Sequence, residues 1–157
     1  TVSVPAFFIR VMQKTDVSLL YEMANANMPY PWTKSIFSSC FKEGYRGWLI
    51  SVGESGLANQ VKGFIIVLAQ LDECQILNVC VKSNDRRQGL ASELLDEVVM
   101  FSRQNGFNKL FLEVRESNDA AIHFYLNSGF QKVGMRRNYY RADQGYENAL
   151  LLRRVVK

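Results

Sequence analysis

Apolar positions along this chain follow two rhythms. Seven segments are short and dense in Val, Ile, Leu, Phe and Tyr: "AFFIRVM", "GWLISV", "VKGFIIVLAQL", "CQILNVCV", "KLFLEV", "QKVGMRRNYY" and "ENALLLRRVV". Such runs, bounded by Gly, Asn, Asp and Ser, predict β-strands. Four other segments carry helical spacing or stand behind capping residues. Thr15 or Asp16 is placed to cap a helix over "VSLLYEMANA", and Thr33 to cap a short one over "KSIFSSCFK". Pro29 and Pro31 bar a helix between the two, so "NMPYPW" is a turn. In "LASELLDEVVMFSRQN", Leu90, Leu94, Val98 and Phe101 form one apolar stripe, and Gly106 suits the stop. The fourth helix is "DAAIHFYLNS", closed by Gly129. The strands before the long helix are joined by short turn-like links, "GESGLANQ" and "DE", which predicts an antiparallel meander. The whole reads as an α+β fold, a mixed and mostly antiparallel central sheet of about seven strands flanked by about four helices. No repeat, low-complexity tract or linker interrupts it, so residues 1–157 read as a single domain.

Composition narrows the classes. Hydrophobic residues make up 48% and charged residues 22%, an ordinary globular balance. No apolar run approaches the roughly 20 residues that span a bilayer, so no membrane partner is expected. "TVSVPAFFIRVMQKTD" has a short apolar patch without a basic flank before it, which is not the pattern of a signal peptide; a cytoplasmic monomer is the expectation. The net charge of +4 argues weakly for an anionic partner. Lys and Arg are scattered, not gathered on an aromatic-rich nucleic-acid face. Cys40, Cys74 and Cys80 include no CxxC pair and read as small buried hydrophobes of a reducing compartment. His123 is the only histidine, which argues against histidine-cluster metal sites and histidine triads. No metal is expected, and His123 reads as an exposed helix side chain.

The chemistry concentrates in two stretches. In "VCVKSNDRRQGLASELL" a strand ends, a polar loop follows and the long helix begins. Arg86 and Arg87 stand at the end of that helix where the macrodipole is already positive and free amides point outward. Two arginines there make sense around a bound anion, with Gly89 letting backbone approach it. A solvated basic turn is the plainer alternative. The loop is neither a GxxxxGK phosphate cradle nor a three-glycine dinucleotide fingerprint. In "LEVRESNDAAIHFYLNSGF" a carboxylate, Glu113, sits within an apolar strand, and a phenol, Tyr125, on the helix that follows. They read either as a base and an acid of one site, or as a core carboxylate paired with Arg115 or backbone beside a packing tyrosine.

"RRQGLA" resembles the (Q/R)xxGx(G/A) signature of the GNAT superfamily of acetyl-CoA-dependent N-acetyltransferases. "PYPWTKSIF", "ILNVCV", "RRQGLASELL", "LEVRESNDAAIHFYLNSGF" and "MRRNYY" followed by an acidic turn extend the resemblance to its RimI-like branch, which acetylates the N-terminal alanine of a small-subunit ribosomal protein. The resemblance implies a GNAT fold, acetyl-CoA as co-substrate and a protein N-terminus as partner. It implies that the backbone of Val79, Cys80 and Val81 holds the pantetheine arm. Arg87, Gln88, Gly89, Leu90, Ala91 and Ser92 would hold the pyrophosphate through amides, and Asn118 would contact the cofactor. Glu113 would be the catalytic base and Tyr125 the catalytic acid. Trp32, Tyr139 and Tyr140 would flank the peptide groove, although Trp32 reads equally as a packing residue. Ala91 in place of a second glycine and Cys80 in place of a small apolar residue are within the pattern. Ser92, where Arg is frequent, would weaken phosphate binding slightly.

Elementary acid–base chemistry fits an α-amine acceptor. An α-amine titrates at about 7.7–8.0 and lysine at about 10.4, so deprotonating lysine near neutral pH costs roughly 3.4 kcal/mol more. A carboxylate base suffices for the former, directly or through one water. Two further readings stay open here: a GNAT that acetylates a small amine, and a CoA-binding regulatory module without catalysis. The first would favour a carboxylate cluster at "PYPW" or "RRNYY", which is absent there. Intact Glu113 and Tyr125 argue against the second.

Overall fold

A computed structural model of the chain describes residues 7–53, 60–86 and 89–157. Seven strands and four helices follow in the order β1 (Phe7–Val11), α1 (Val17–Asn27), α2 (Lys34–Ser39), β2 (Tyr45–Val52), β3 (Val61–Gln70), β4 (Glu73–Val81), α3 (Leu90–Gln104), β5 (Lys109–Arg115), α4 (Asp119–Asn127), β6 (Gln131–Arg141) and β7 (Tyr146–Val155). The strands form one sheet in the order β1-β2-β3-β4-β5-β7-β6. β1 pairs antiparallel with β2, and β2 with β3. β4 runs parallel to β5, and β5, β7 and β6 pair antiparallel. The mixed, mostly antiparallel sheet is the one expected. The meander is antiparallel because its links are too short for a crossover: two residues, Leu71 and Asp72, separate β3 from β4.

By packing, the chain divides into two compact units, one running to Leu68 and resuming over Asn78–Val98, the other Ala69–Leu77 with Val99–Lys157. In the first, β2 and β3 are buried along almost their whole length, which is why their sequences read as continuous apolar runs. Leu20, Met23 and Ala24 of α1, Phe37 of α2, Leu49, Ile50, Phe64 and Ile66 of the strands, and Leu94 of α3 make its core. Phe37 packs edge-on against Phe64 at 5.8 Å. In the second, β5 alternates cleanly: Leu110, Leu112 and Val114 turn inward with Leu152 of β7, while Lys109, Phe111, Glu113 and Arg115 share the other face.

The caps show which local signals acted. The Thr33 side chain accepts a hydrogen bond from the Ile36 amide at 3.2 Å, as expected. Asp16 does not cap α1 with its side chain. It closes the preceding 3-10 turn instead, accepting from the Gln13 amide at 2.7 Å and from both Arg10 terminal nitrogens at 2.8 and 2.9 Å. Those contacts hold its carboxyl below the usual aspartate range. The turn intervenes because a buried carboxylate gains more from a guanidinium fork than from one helix amide. Gly106 and Gly129 end α3 and α4 with φ of 78° and 90°. All three cysteines are buried and unpaired, and His123 is exposed.

Candidate active site

One candidate stretch, the loop before α3, lies in the first unit. Val79, Cys80 and Val81 are the last residues of β4. A side chain at Gly63 on β3 would lie 2.6 Å from the Cys80 carbonyl oxygen, so only glycine permits this approach. Burial pushes the Cys80 thiol up to about 11, which leaves it inert at neutral pH and leaves the backbone as its usable part. Gly89 stands immediately before α3 with φ +78° and open space where a Cβ would point. Its carbonyl accepts the Glu93 amide at 3.1 Å, which opens the helix. The amides of Leu90, Ala91 and Ser92 precede that first helical bond, the position from which helix amides meet anions. Backbone, dipole and open space at Gly89 therefore fit a phosphate group. Arg87 and Gln88, expected to join them, lie outside the described residues.

Arg86 departs from its expected role. It donates from Nη2 to the Asn27 carbonyl at 2.8 Å and from Nε to the Val81 carbonyl at 3.3 Å. Asn27 is the last residue of α1, so Arg86 serves a helix C-terminus, where a cation is favoured, and not an anion at α3. The Asn27 side chain completes the tie, its Oδ1 accepting from the Ser83 amide at 2.8 Å and the Ser83 hydroxyl at 3.0 Å. Sequence reading passed over Asn27; an asparagine ending a helix before a proline gave no hint of a partner 56 residues on. Trp32 is half-buried with its ring 5.3 Å from Phe37, a packing contact.

The other candidate stretch, around Glu113, lies in the second unit. Glu113 faces Leu151 across β5 and β7, and Leu151 faces Gly134 of β6; one step along, Arg115 faces Ala149, which faces Arg136. Arg136 reaches diagonally over β7 and its Nε pairs with Glu113 Oε1 at 3.2 Å. The expected partner, Arg115, is engaged elsewhere: Nη1 donates to Glu147 Oε1 at 2.8 Å and to the Arg141 carbonyl at 2.7 Å, and its guanidinium lies 4.5 Å over the Tyr140 ring. Two side chains on one strand face need not meet when a cross-strand carboxylate, held also by the Ser117 amide, offers a better fork.

A bulge sets the tyrosines. Between Arg136 and Tyr140 three residues of β6 oppose the single residue Asn148 of β7. Asn138 takes φ +51° there, and its amide donates to Asn148 Oδ1 at 3.0 Å. Asparagine tolerates this left-handed conformation better than most residues. The Tyr139 phenol faces Glu113: the carboxylate's charge, then burial and a hydrogen bond to Glu113, hold its pKa above the ordinary value. Tyr140 is pushed up to about 12 by burial and then by the Glu113 charge. The two rings meet edge-on at 4.9 Å, and Arg136 lies 5.2 Å over Tyr139. Tyr139 and Tyr140 are thus grouped with Glu113, a grouping the sequence reading had not made, and Arg136 joins them.

Tyr125 is buried on α4 with its ring 5.2 Å from Phe130, and burial raises its pKa well above the phenol range. The Asn118 side chain caps α4, its Oδ1 accepting the Ala121 amide at 3.2 Å, so its amide donors are the part available to a ligand.

The profile of the acetyltransferase (GNAT) family matches residues 17–130. The [ribosomal protein bS18]-alanine N-acetyltransferase of Escherichia coli (strain K12) is 32% identical over 144 residues, 92% of this chain and 94% of the relative. The crystal structure of the ribosomal-protein-S18-alanine N-acetyltransferase from Escherichia coli superposes with a TM-score of 0.87 at 30% identity, over 97% of this chain and 95% of that one. Ard1 from Thermoplasma volcanium superposes at 0.81 with 29% identity, over 97% and 99%. A strand that ends before an anion-fitting helix start, a carboxylate and a phenol on the strand and helix that follow, and this extent of likeness in sequence and backbone lead to one conclusion: the chain belongs to the GNAT family of acetyltransferases.

Proposed function

We propose that the chain transfers the acetyl group of acetyl-CoA to the N-terminal α-amine of a protein, the N-terminal alanine of a small-subunit ribosomal protein. The observation that carries the reading is Glu113: an almost buried carboxylate, its side chain 8% exposed, held by Arg136 and faced by Tyr139. Supporting it is the 32% identity, over 92% of the chain, to an enzyme named for that acceptor.

In this reading Glu113 takes the proton of the attacking amine, directly or through one water. An α-amine, within about a unit of neutral pH, needs no stronger base. Acetyl-CoA supplies the thioester. The amides at Gly89, Leu90, Ala91 and Ser92, with Arg87 and Gln88, hold its pyrophosphate, the backbone of Val79–Val81 its pantetheine, and Asn118 donates to it. Tyr125 is the acid. With its pKa raised by burial, it remains a neutral phenol at all physiological pH and serves the leaving sulfur as a hydrogen-bond donor. Full transfer of its proton to a thiolate of pKa about 8.5 is further uphill than for an ordinary phenol. Tyr139, Tyr140 and Trp32 flank the peptide. The 157 residues act as one domain, as a cytoplasmic monomer, without nucleic acid, membrane or metal.

The test is a panel of acceptors with acetyl-CoA, read by mass spectrometry: peptides beginning with Ala, free lysine, and spermine. Acetylation confined to the peptide α-amine is expected. Preference for spermine would replace this reading with a small-amine enzyme, and no product from any acceptor would leave a CoA-binding module. Glu113→Gln should lower turnover by about 100-fold or more while acetyl-CoA binding, by calorimetry, stays within twofold.

A further inference from the structure

Two arginines on the Glu113 face, Arg115 and Arg136, are held very differently. Arg115 is fixed by Glu147, by the Arg141 carbonyl and by the Tyr140 ring, and its side chain is 17% exposed. Arg136 is 54% exposed, although it ends on a carboxylate that is almost wholly buried. Its described contacts are that carboxylate and the face of the Tyr139 ring. A half-exposed cation holds its partner weakly, within about 0–1 kcal/mol, whereas a buried carboxylate left without any cation is strongly disfavoured. The pair is therefore easy to open only when another cation replaces the guanidinium. An acceptor amine arrives as such a cation, because an α-amine of pKa about 7.7–8.0 is mostly protonated at pH 7.

We propose that Arg136 is a displaceable counter-ion of Glu113, exchanged for the ammonium of the arriving acceptor, and that it thereby sets how tightly cationic acceptors are held. This rests on the reading of Glu113 as the residue the acceptor amine meets. The exchange explains why an arginine, and not an apolar residue, stands diagonally across β7 from the carboxylate. It keeps the buried charge compensated between turnovers. It also holds back ammonium groups that bind but cannot react: lysine side chains, which stay protonated near neutral pH, must compete with a tethered guanidinium. Tyr139 is suited to the exchange, since its ring offers Arg136 a face to rest on at 5.2 Å.

The test compares a charged and a neutral peptide on the intact protein. One probe is an alanine-starting peptide with a trimethylated N-terminus, permanently cationic and unable to accept acetyl. The other is the same peptide already N-acetylated, which is neutral. Inhibition constants are measured for wild type, Arg136→Gln and Arg136→Lys. In Arg136→Gln the cationic probe should bind about two- to fivefold tighter, the range set by an exposed pair, while the neutral probe is unmoved. Arg136→Lys should restore the wild-type ratio. An unchanged or weakened cationic probe, or equal shifts in both probes, overturns the proposal. Thermal melting of each variant guards against misfolding, and the ratio of the two constants cancels a partial loss of active protein. Glu113→Gln separates the two readings. If it leaves turnover intact but abolishes the preference for the cation, Glu113 is not the base and the exchange stands. If it abolishes turnover while Arg136→Gln leaves the ratio unchanged, Glu113 is the base and the exchange fails.

Discussion

Two glycines bracket α3 in the same backbone state, and that symmetry isolates what Gly89 does. Gly89 precedes the helix and Gly106 follows it; both have φ +78°, and at both a Cβ would meet nothing within 4 Å. Alanine at either position therefore costs only the left-handed conformation, roughly 1–2 kcal/mol. For a domain of this size each kcal/mol lowers Tm by about 2–4 °C, so both Gly89→Ala and Gly106→Ala should melt about 2–8 °C below wild type. Ligand binding should divide them. A methyl at Gly89 is expected to crowd a phosphate held by the amides that follow it. Losing one hydrogen bond to a charged phosphate costs about 1.5–3 kcal/mol, or roughly 10- to 100-fold in Kd. Gly106→Ala should bind acetyl-CoA as wild type does. The assay is scanning fluorimetry for stability and titration calorimetry for acetyl-CoA, on the three proteins in one buffer. Equal weakening in both variants would mean that general destabilisation, not the anion site, is being read. Wild-type affinity in Gly89→Ala would remove the phosphate from this loop.

Three other outcomes follow from the same geometry. Thr33→Ala should lose about 1 kcal/mol in urea unfolding, and Thr33→Ser should recover most of it; equal stability of all three would deny the cap. The Asp16 carboxyl is held low mainly by Arg10, so its contribution to stability is present above the unfolded value of about 3.9 and is lost as pH falls through it towards the folded value. Melting curves of wild type and Asp16→Asn should therefore converge on acidification; parallel curves from pH 5 to 2 would refute the linkage. Arg86→Ala removes its bonds to Asn27 and Val81 and should lower the Tm of the ligand-free chain by a few degrees, whereas an unchanged Tm would mean the tie holds nothing.

The chain's own order of residues determined the elements. Strand and helix boundaries followed from apolar runs, prolines and glycines, because those signals act within a few residues of themselves. "KLFLEV" alternates along one strand, and its odd positions, Glu113 among them, fall on the face opposite the core. The glycine before α3 and the cap at Thr33 were legible for the same reason. What tertiary structure decided was every partner reached across strands or between distant loops. Arg115 lies two residues from Glu113 on the same face, yet Glu147 takes it and Arg136 pairs with Glu113. That choice depends on the register of β5, β7 and β6 and on the bulge around Asn138, which no local pattern specifies. Arg86 was legible as a cation but not as the clasp of α1, since its acceptor is a backbone carbonyl 59 residues away. Asp16 likewise gave up a helix for a guanidinium that only the packing of β1 brings near. A side chain's type and local setting are written in the sequence; which charge it meets is fixed by register and packing, because a hydrogen bond depends on where atoms lie in space and not on their separation along the chain.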